Sequence, residues 1–444
     1  MNEDPSLAKG ELPAGCALVT RRKMDIACAR MALVPFRAWP RSRQVLLASL
    51  GVVALLASLW WWRGERFYLR WLLESPSRGS CQKHLNRATL DASLRLGTQF
   101  LLVHQRPAGN FDYEFDWRSQ ELSDEDQETR QVGALWGLTL LYQEDKRPEL
   151  AAAIERALGF FDENSRRAKG ARCLTYPGSR FGRAGTTALM ALSLIEYLRA
   201  APELETERRA QLQRRLDEYL KMLVRSVHPS GLWYGEYDVK NCKPRGEPSS
   251  YSDGEALLAL VKAAKYLDRK DLLPDIMAAA AAGKRINIDE ALALDSDSDV
   301  TKGYYQWSTM AFYELSTSDL PDVAVYGDTV LRLADWIIDE HDILTRTRNT
   351  GYAYEGIIHA YALAKRRGDS VRQAKYACVI DLGLEHITSW QVGGPRSNRF
   401  TAAASSQDPR ALGGVQNAAF EPGLRVDVTQ HQMHATLLAR RYVY

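Results

Sequence analysis

Six segments of this 444-residue chain share one plan, and that plan limits the possible folds more than any other feature. Each has a polar, aromatic or glycine-rich lead-in, followed by a largely apolar helix of small residues. The segment Tyr251–Tyr266 shows the plan best, because its apolar residues recur at helical spacing and Ser252 or Asp253 is expected to cap the helix. Its stripe consists of Leu257, Leu260, Val261, Ala264 and Leu267. The other five helices are expected to begin near Thr129, Gly185, Tyr304, Thr350 and Asp427.

The stretches between these segments predict a second set of helices with a different pattern. Residues 206–225 carry one apolar stripe among charged residues, whereas Gly185–Ile195 is apolar nearly all round. A helix that is apolar nearly all round is enclosed by others, and a helix with one apolar stripe is half exposed. The contrast predicts two concentric rings, an all-α (α/α)6 toroid with the lead-in residues at one mouth.

The connections between the helices have patterns of their own. Phe111–Trp117 and Ser230–Tyr237 alternate or cluster aromatic and acidic residues, which predicts short β-ribbons in the mouth loops. Residues 165–183 are basic and glycine-rich, which indicates a loop, and residues 283–303 are expected to form a long irregular connection. Asp295–Asp299 alternates carboxylates like a calcium loop, but Val300 stands where such a loop needs glycine, so a solvated turn is expected.

Residues 45–62 carry no charge and are long enough to cross a bilayer core of about 30 Å. Trp60, Trp61 and Trp62 suit the membrane interface, and they occupy the place where a signal peptide would need small residues for cleavage. We therefore predict one uncleaved N-terminal transmembrane helix at 44–62. The denser basic tail lies before the span, which favours a cytoplasmic N-terminus.

The domain plan follows from these segments. Residues 1–43 are expected to be a disordered basic cytoplasmic tail, 44–62 the transmembrane anchor, 63–84 a juxtamembrane segment and linker, and 85–444 the toroid. The expected location is the inner membrane, in a single pass, with the C-terminal domain periplasmic or extracellular. A net charge of +3, much of it in the tail, is too small for this length to suggest nucleic acid, so no nucleic-acid partner is expected.

Six cysteines add a weaker constraint. Two precede the predicted span and four follow it, and in an oxidising compartment the last four can form up to two disulfides. Cys173 and Cys242 both lie in loop-like sequence and are the favoured pair. Isolated buried thiols remain the default expectation. The four that follow the span are Cys81, Cys173, Cys242 and Cys378.

Four motifs at the predicted helix starts give the chain a resemblance to a known group. They are Arg130-Gln-Val-Gly-Ala-Leu-Trp136, Tyr251-Ser-Asp-Gly-Glu-Ala256, Tyr352-Ala-Tyr-Glu-Gly356 and Gly413-Gly414 with Arg425-Val-Asp-Val-Thr-Gln-His431. With them, residues 85–444 resemble the (α/α)6-toroid carbohydrate-active proteins, namely glycoside hydrolases, polysaccharide lyases and uronyl epimerases of bacterial envelopes. The motifs are loose, so the resemblance implies a glycan-acting toroid and assigns no catalytic role residue by residue.

Two kinds of chemistry fit the polar residues at these starts. Glycoside hydrolysis needs two carboxyl groups, and Glu255 is the candidate acid with Asp427 or Glu355 as the carboxylate partner. A lyase or C5-epimerase instead removes the proton next to a uronate carboxylate, for which Tyr352 or His431 is the candidate base. Glu255 can equally stabilise its own helix N-terminus. The sequence leaves hydrolysis, elimination and epimerisation open.

The remaining candidates are substrate-binding residues near the same helix starts. Aromatic rings there can stack on sugar faces or can simply fill the inner ring. Six helix N-termini at one mouth favour an anionic glycan over a neutral one. The candidates are Arg130, Gln131, Tyr251, Asp253, Tyr304, Trp307 and Gln430.

No metal and no other cofactor is expected. His431 and His434 can lie on one helical face, but a zinc site usually has three or four ligands. The sequence thus predicts a membrane-anchored envelope protein that acts on a glycan by acid–base chemistry. The alternative is a non-catalytic glycan-binding or scaffold subunit of an envelope polysaccharide assembly or export system. The expected partners are the glycan, the lipid bilayer and envelope-assembly proteins.

Overall fold

The structure, a computed structural model, describes residues 81, 83–403, 408–418 and 420–444. The predicted tail at 1–43, the predicted span at 44–62 and most of the segment 63–84 lie outside the described residues. Among the residues that are described, no helix is both long enough and apolar enough to cross a bilayer.

The described part is built from helices joined by short strands. The helices are α1 (Arg87–Val103), α2 (Glu128–Glu144), α3 (Pro148–Glu163), α4 (Ala184–Ala200), α5 (Thr206–Arg225), α6 (Ser250–Tyr266), α7 (Leu273–Gly283), α8 (Ala291–Leu294), α9 (Asp299–Ser316), α10 (Tyr326–Asp339), α11 (Gly351–Arg367), α12 (Ser370–Thr388), α13 (Arg399–Ala403) and α14 (Val426–Tyr442). The strands are β1 (Glu114–Asp116), β2 (Glu121–Leu122), β3 (Ser165–Ala168), β4 (Ala171–Leu174), β5 (Phe181–Arg183), β6 (Tyr234–Asp238), β7 (Lys243–Pro248) and β8 (Gly423–Arg425).

Six of the helices form a closed inner ring. In order they are α2, α4, α6, α9, α11 and α14; each packs on the next, and α14 packs back on α2. Five of them begin within one residue of the predicted start, and α9 begins at Asp299 rather than Tyr304. The predicted inner ring is confirmed.

The outer helices α1, α3, α5, α7, α10 and α12 pack against this ring. The contrast that predicted them is visible in their burial. In α5 the buried positions form one stripe, whereas nearly every residue of α4 is buried. The apolar surface of α4 is enclosed because an inner helix has neighbours on both sides and an outer helix behind it.

The inner helices run parallel, because their N-terminal turns contact one another around the ring. The Thr129 and Thr186 hydroxyls lie 2.9 Å apart, joining the starts of α2 and α4. Glycines at these contacts allow close approach: a Cβ added to Gly185 would lie 1.9 Å from the carboxyl of Glu255, and one on Gly254 would lie 2.6 Å from Trp307. All six N-termini therefore open at the same mouth.

The strands form small antiparallel sheets in the loops that precede the inner helices. One has the order β2-β1-β8, a second pairs β3 with β4, and a third has the order β5-β6-β7. Along Phe111–Trp117 the aromatic residues are buried and the acids between them are half-buried, as the alternation predicts. The prediction of a loop at 165–183 is wrong, because most of these residues form β3, β4 and β5.

The predicted irregular connection at 283–303 is also wrong. Helix α7 continues as a π-helical segment, Lys284–Glu290, into α8, and α9 follows after a short turn. Ion pairs spaced five residues apart suit the wider π-helical turn, and both Lys284–Asp289 at 2.6 Å and Arg285–Glu290 at 2.7 Å have this spacing. Charges that look like a solvated loop in the sequence are thus helical pairs.

Four cysteines form two disulfides. Cys173 is bonded to Cys242, the pair that the sequence favoured, and Cys81 is bonded to Cys378. The default expectation of isolated thiols is therefore wrong for these four residues. The second bond links the segment before α1 to α12 across 297 residues of sequence.

The capping role predicted for Ser252 or Asp253 is wrong. The N-cap of α6 is Ser249, three residues before Ser252, and both Ser252 and Asp253 are buried within the first turn of the helix. The Asp253 carboxyl accepts hydrogen bonds from the Trp233 backbone N–H at 2.9 Å and from the Asn287 amide at 3.0 Å. It fixes the outer layer to α6 instead of capping its own helix.

Candidate active site

Two tryptophans fill the middle of the inner ring. Trp136 on α2 and Trp307 on α9 come from opposite positions in the ring, yet their ring centroids are only 5.2 Å apart. The His434 ring lies 4.9 Å from Trp136 in an edge-on contact. The two indoles fill the middle of the ring, and we call the region on their mouth side, where the polar residues at the helix starts lie, the recess.

A buried carboxylate holds a histidine at this recess. Glu355 on α11 is fully buried, and its Oε1 lies 2.9 Å from Nδ1 of His431 on α14. Its Oε2 accepts a hydrogen bond from the Gln306 amide at 2.8 Å and lies 3.1 Å from His434 Nδ1. Burial alone would raise the pKa of Glu355, but the two histidines outweigh it and lower that pKa to about 2. Glu355 is therefore an ionised carboxylate at neutral pH.

The effect on His431 is the reverse. Burial lowers the pKa of His431, but the charge of Glu355 and its hydrogen bond outweigh burial, and the net shift is upward. Because Nδ1 faces Glu355, Nε2 is the nitrogen left for a bound molecule, and 24% of the side-chain surface is exposed. A carboxylate that fixes the imidazole in this way produces an oriented acid–base group.

Asp427 lies one turn before His431 on α14 and is neutralised by two arginines. Arg425 donates from Nε at 3.0 Å and from Nη2 at 2.6 Å, and Nε of Arg130 lies 3.3 Å away. Burial would raise the pKa of Asp427, but Arg425 and Arg130 outweigh it and lower the pKa. The Tyr113 hydroxyl accepts a hydrogen bond from Arg130, which fixes the cluster to the β1 ribbon.

Glu255 has the opposite environment on the other side of the ring. It is 5% exposed, lies beside Gly185 and Ser252, and accepts no hydrogen bond within the part of the chain that the structure describes. Burial raises the pKa of Glu255 to about 8, against a smaller lowering by Arg183. Burial also raises the pKa of Asp253 and of Glu128 to about 7. Glu255 is thus a protonated carboxylic acid at neutral pH.

This burial predicts a pH dependence of stability that can be measured. Glu255 in the unfolded chain ionises near its ordinary pKa, whereas the folded carboxyl keeps its proton to about pH 8, so the folded state binds more protons in between. The free energy of unfolding is therefore expected to fall as pH rises from about 5 to 8. Denaturant unfolding of Glu255→Gln at about pH 5 and about pH 8 should show a smaller fall in the free energy of unfolding than in the wild type.

A matched control is Glu247→Gln, which changes an exposed glutamate on β7 in the same way. It should keep the wild-type slope. A slope in Glu255→Gln equal to that of the wild type would contradict the assignment of a buried, protonated Glu255.

Three predicted substrate-binding residues face the outer layer rather than the recess. The Gln131 amide is fully used by the Phe111 backbone, with contacts of 2.7 and 2.8 Å, and by Asp126. Asp253 is held as described above. Tyr304 is 1% exposed, and its hydroxyl lies against Gly283 of α7. All three side chains are held by these contacts, so the structure does not bring them to the recess.

The other predicted residues are distributed between the middle of the ring and its rim. Trp307 is one of the two central indoles, and Gln430 is 1% exposed beside Gly137, its Nε2 without a hydrogen-bond partner among the described residues. Tyr251 is 54% exposed at the rim, with its ring against Gly303. Tyr352 is half-buried nearby, and burial raises its pKa well above the ordinary value.

Two residues of the recess have no place among the sequence candidates. Gln306 donates its amide N–H to Glu355, and the same amide nitrogen lies 3.1 Å from His431 Nδ1. A polar residue in the middle of an enclosed helix is a sequence signal that could have identified Gln306. Tyr113 had no such signal, because only the pairing of β1 with β8 brings it beside Arg130 and Arg425.

The two histidines that suggested a zinc site have another partner in the structure. His431 and His434 do share one face of α14, but both are directed at Glu355. No group of three or more potential metal ligands occurs in the described ranges.

Comparisons with known proteins identify the fold. No protein-family model matches the sequence, and no curated protein matches it either. Solved structures do: a D-mannose isomerase has a TM-score of 0.57 with 11% identity over 80% of this chain and 98% of its own. A sugar epimerase from a ruminal bacterium has a TM-score of 0.56 with 12% identity over 80% of this chain and 98% of its own.

A GH76 α-mannanase from Bacteroides thetaiotaomicron is similar to the same degree, with a TM-score of 0.55 and 11% identity over 80% of this chain and 96% of its own. The predicted resemblance to (α/α)6-toroid carbohydrate-active proteins is therefore confirmed at the level of the fold. At these identities the likeness shows the fold alone.

Proposed function

We propose that this protein is an enzyme that acts on a glycan by acid–base chemistry at the toroid mouth, with His431 as the group that accepts the proton. The observation that carries the proposal is the Glu355–His431 pair: an ionised, fully buried carboxylate fixes one imidazole nitrogen and leaves the other nitrogen outside that contact. Glu355 is then a positioning residue, and a protonated Glu255 is the candidate acid.

Proton transfer to carbon fits this recess better than glycoside hydrolysis. Hydrolysis needs an available ionised carboxylate, whereas Asp427 is neutralised by two arginines and Glu355 is bound by two histidines. A similar α-1,6-mannanase, from Salegentibacter sp., is named inactive when two successive aspartates are replaced, and this sequence contains no two successive aspartates. An epimerase and an isomerase are also among the similar structures.

We propose an anionic, uronate-containing substrate for this chemistry. Arg130 is 36% exposed at the recess and is the candidate to neutralise the uronate carboxylate. Six helix N-termini add positive potential at the same mouth. His431 Nε2 would remove the proton from the carbon next to the carboxylate. Return of a proton to the opposite face gives the C5 epimer, and departure of the substituent on the next carbon gives an elimination product.

One experiment can distinguish this proposal from two alternatives, glycoside hydrolysis and glycan binding without turnover. In hydrolysis Glu255 would be the acid and Asp427 the base, on the same two helices, α6 and α14, that carry Glu255 and His431. In a binding or scaffold protein the recess would hold a glycan without turnover. Binding and turnover measured together on polygalacturonate, polymannuronate and α-1,6-mannan, for wild type, Glu255→Gln and His431→Asn, separate the three.

The expected pattern is turnover of a uronate polymer that His431→Asn abolishes while binding persists. Reducing sugar released from mannan, lost in Glu255→Gln, would instead support hydrolysis. Binding with no product from any polymer would support the scaffold alternative and overturn the proposal.

We also propose that residues 44–62 anchor the protein in the inner membrane, with residues 85–444 outside the cytoplasm. Two disulfides support an oxidising compartment for this part of the chain. There the toroid would meet an envelope glycan and the proteins that assemble it.

The orientation gives a direct prediction. Protease added to intact spheroplasts is expected to digest the C-terminal domain, because that domain lies outside the membrane barrier. A cytoplasmic marker protein must remain intact as the control. Protection of the C-terminal domain until the membrane is lysed would show the reverse orientation.

A further inference from the structure

The β5-β6-β7 sheet presents one charged face and one buried face. In its register Phe181 pairs with Asp238, which pairs with Lys243, and Arg183 pairs with Glu236, which pairs with Arg245. Residues directly opposite each other in an antiparallel sheet share a face. These two rows therefore lie on the same side. The other side packs inward, with Tyr237 fully buried over Gly182.

A groove with a cavity volume of about 370 Å3 lies at the strand ends on this sheet. Its lining has three cationic side chains and one carboxylate, so the formal charge of the lining is +2. The Arg245 guanidinium lies 3.8 Å from the centre of the Phe181 ring, and the Arg180 guanidinium lies 5.2 Å from it. The lining residues are Arg180, Phe181, Asp238, Asn241, Lys243, Pro244 and Arg245.

Charged residues on one face of a sheet ordinarily form cross-strand ion pairs. Two of the three cations of this groove do not. Lys243 and Arg245 are exposed, and neither makes an ion pair with any described residue. Elsewhere in the described chain many arginines do, including Arg172 with Glu218 at 2.8 Å. An arginine stacked on an aromatic ring keeps its N–H edge free for a carboxylate, sulfate or phosphate.

The groove is held in shape by contacts at its turn. Cys242 lies between Asn241 and Lys243 and is bonded to Cys173 on β4. Asp238 Oδ1 accepts the Lys240 backbone N–H at 2.7 Å, and Asn241 Oδ1 accepts that of Lys243 at 2.9 Å. A site whose frame is already ordered loses little conformational entropy when a ligand binds.

Strand β5 connects the groove with the inner ring. Strand β5 ends at Arg183 and runs directly into inner helix α4, and the charge of Arg183 lowers the pKa of Glu255. A chain lying on the sheet along β5 is therefore directed to the mouth on the Glu255 side.

We propose that this basic groove, formed by Phe181, Lys243 and Arg245, binds an anionic stretch of the glycan, outside the recess where the proton is transferred. Carboxylates or sulfates of the glycan bind Lys243 and the edge of Arg245, and a sugar face lies on the Phe181–Arg245 stack. The proposal rests on the proposed function for the ligand being a glycan, and it makes the substrate a polymer rather than a free sugar.

The test uses the full-length chain, purified in mild detergent, and polygalacturonate as the probe. The double variant Lys243→Gln/Arg245→Gln is expected to raise the Kd for the polymer at least about tenfold, because two charge-assisted contacts are lost. The matched control is Lys365→Gln/Arg366→Gln, which removes one exposed lysine and one exposed arginine at the far end of α11. The control should bind like wild type, and both variants should melt like wild type.

The outcomes separate this proposal from the proposed function. Wild-type affinity in the groove variant, an equal loss in the control, or no binding of polygalacturonate by the wild type would each overturn the groove. Turnover that depends on His431 is scored separately, with a disaccharide too short to reach the groove. That turnover should be unchanged in the groove variant, and its loss there would also contradict a separate subsite.

Discussion

Replacement of His431 with asparagine is expected to lower kcat on the glycan substrate by about 100- to 10,000-fold, the range for loss of a general acid or base. Asparagine keeps a polar group of similar reach but cannot take a proton at neutral pH. His386→Asn, on outer helix α12, is the matched control and should retain wild-type turnover. Turnover in His431→Asn equal to that of the control would contradict the assignment.

Glu355→Gln tests how His431 is tuned. Glu355 raises the pKa of His431 in the folded protein, so its neutralisation should lower that pKa. The basic form of His431 then persists to lower pH, and the acid limb of the pH–rate profile should move to lower pH while kcat falls. A residue with a merely structural role would reduce the rate without moving that limb.

The largest effect on stability is expected at the other end of the ring. Lys262 on α6 lies between two buried carboxylates, Glu196 on α4, to which it donates a hydrogen bond, and Glu314 on α9 at 3.7 Å. Lys262→Met removes the cation and leaves Glu196, which is fully buried, with Arg199 and Gln143. Breaking a buried ion pair in this way costs about 3–5 kcal/mol. The midpoint of denaturant unfolding should fall accordingly.

Lys270→Met is the control, because Lys270 makes an exposed ion pair with Asp268 at 3.8 Å. Its effect should stay within about 0.5 kcal/mol. The double variant Glu196→Gln/Lys262→Met should recover part of the loss, since it also removes the buried carboxylate charge that Lys262→Met leaves with one cation fewer. Equal midpoints for the two single lysine variants would show that the buried network is not a stabilising element.

The inner ring was predictable because enclosure leaves a signal in composition. A helix with neighbours on every side is apolar nearly all round, and Gly185–Ile195 in α4 shows this directly in the sequence. The π-helical segment was not predictable in the same way. Its ion pairs span five residues, a spacing that an α-helical or loop pattern does not use, and the buried Asn287 is explained only by its contact with Asp253.

The sequence predicted which residues lie at the level of the mouth, but not which way their side chains point. A position near an inner-helix start places a residue at the level of the mouth, whereas each further residue turns the side chain by about 100° around the helix axis. Glu355 and His431 turn into the recess, and Tyr304 turns toward α7. Tyr113 directly precedes β1, and only the pairing of β1 with β8 brings it beside Arg130 and Arg425, so it could not be placed at Asp427 from sequence.

Deuterium incorporation tests the central claim most directly. Wild type and His431→Asn are incubated in D2O with polygalacturonate, polymannuronate and hyaluronan, with cellobiose and α-1,6-mannan as neutral comparisons, and the products are analysed by NMR and mass spectrometry. The predicted result is replacement of hydrogen by deuterium, or an unsaturated product, at the carbon next to the carboxylate of a uronate polymer, lost in His431→Asn. No exchange and no elimination with any uronate polymer, or exchange that persists in His431→Asn, would contradict the claim that His431 transfers a proton at the mouth of this toroid.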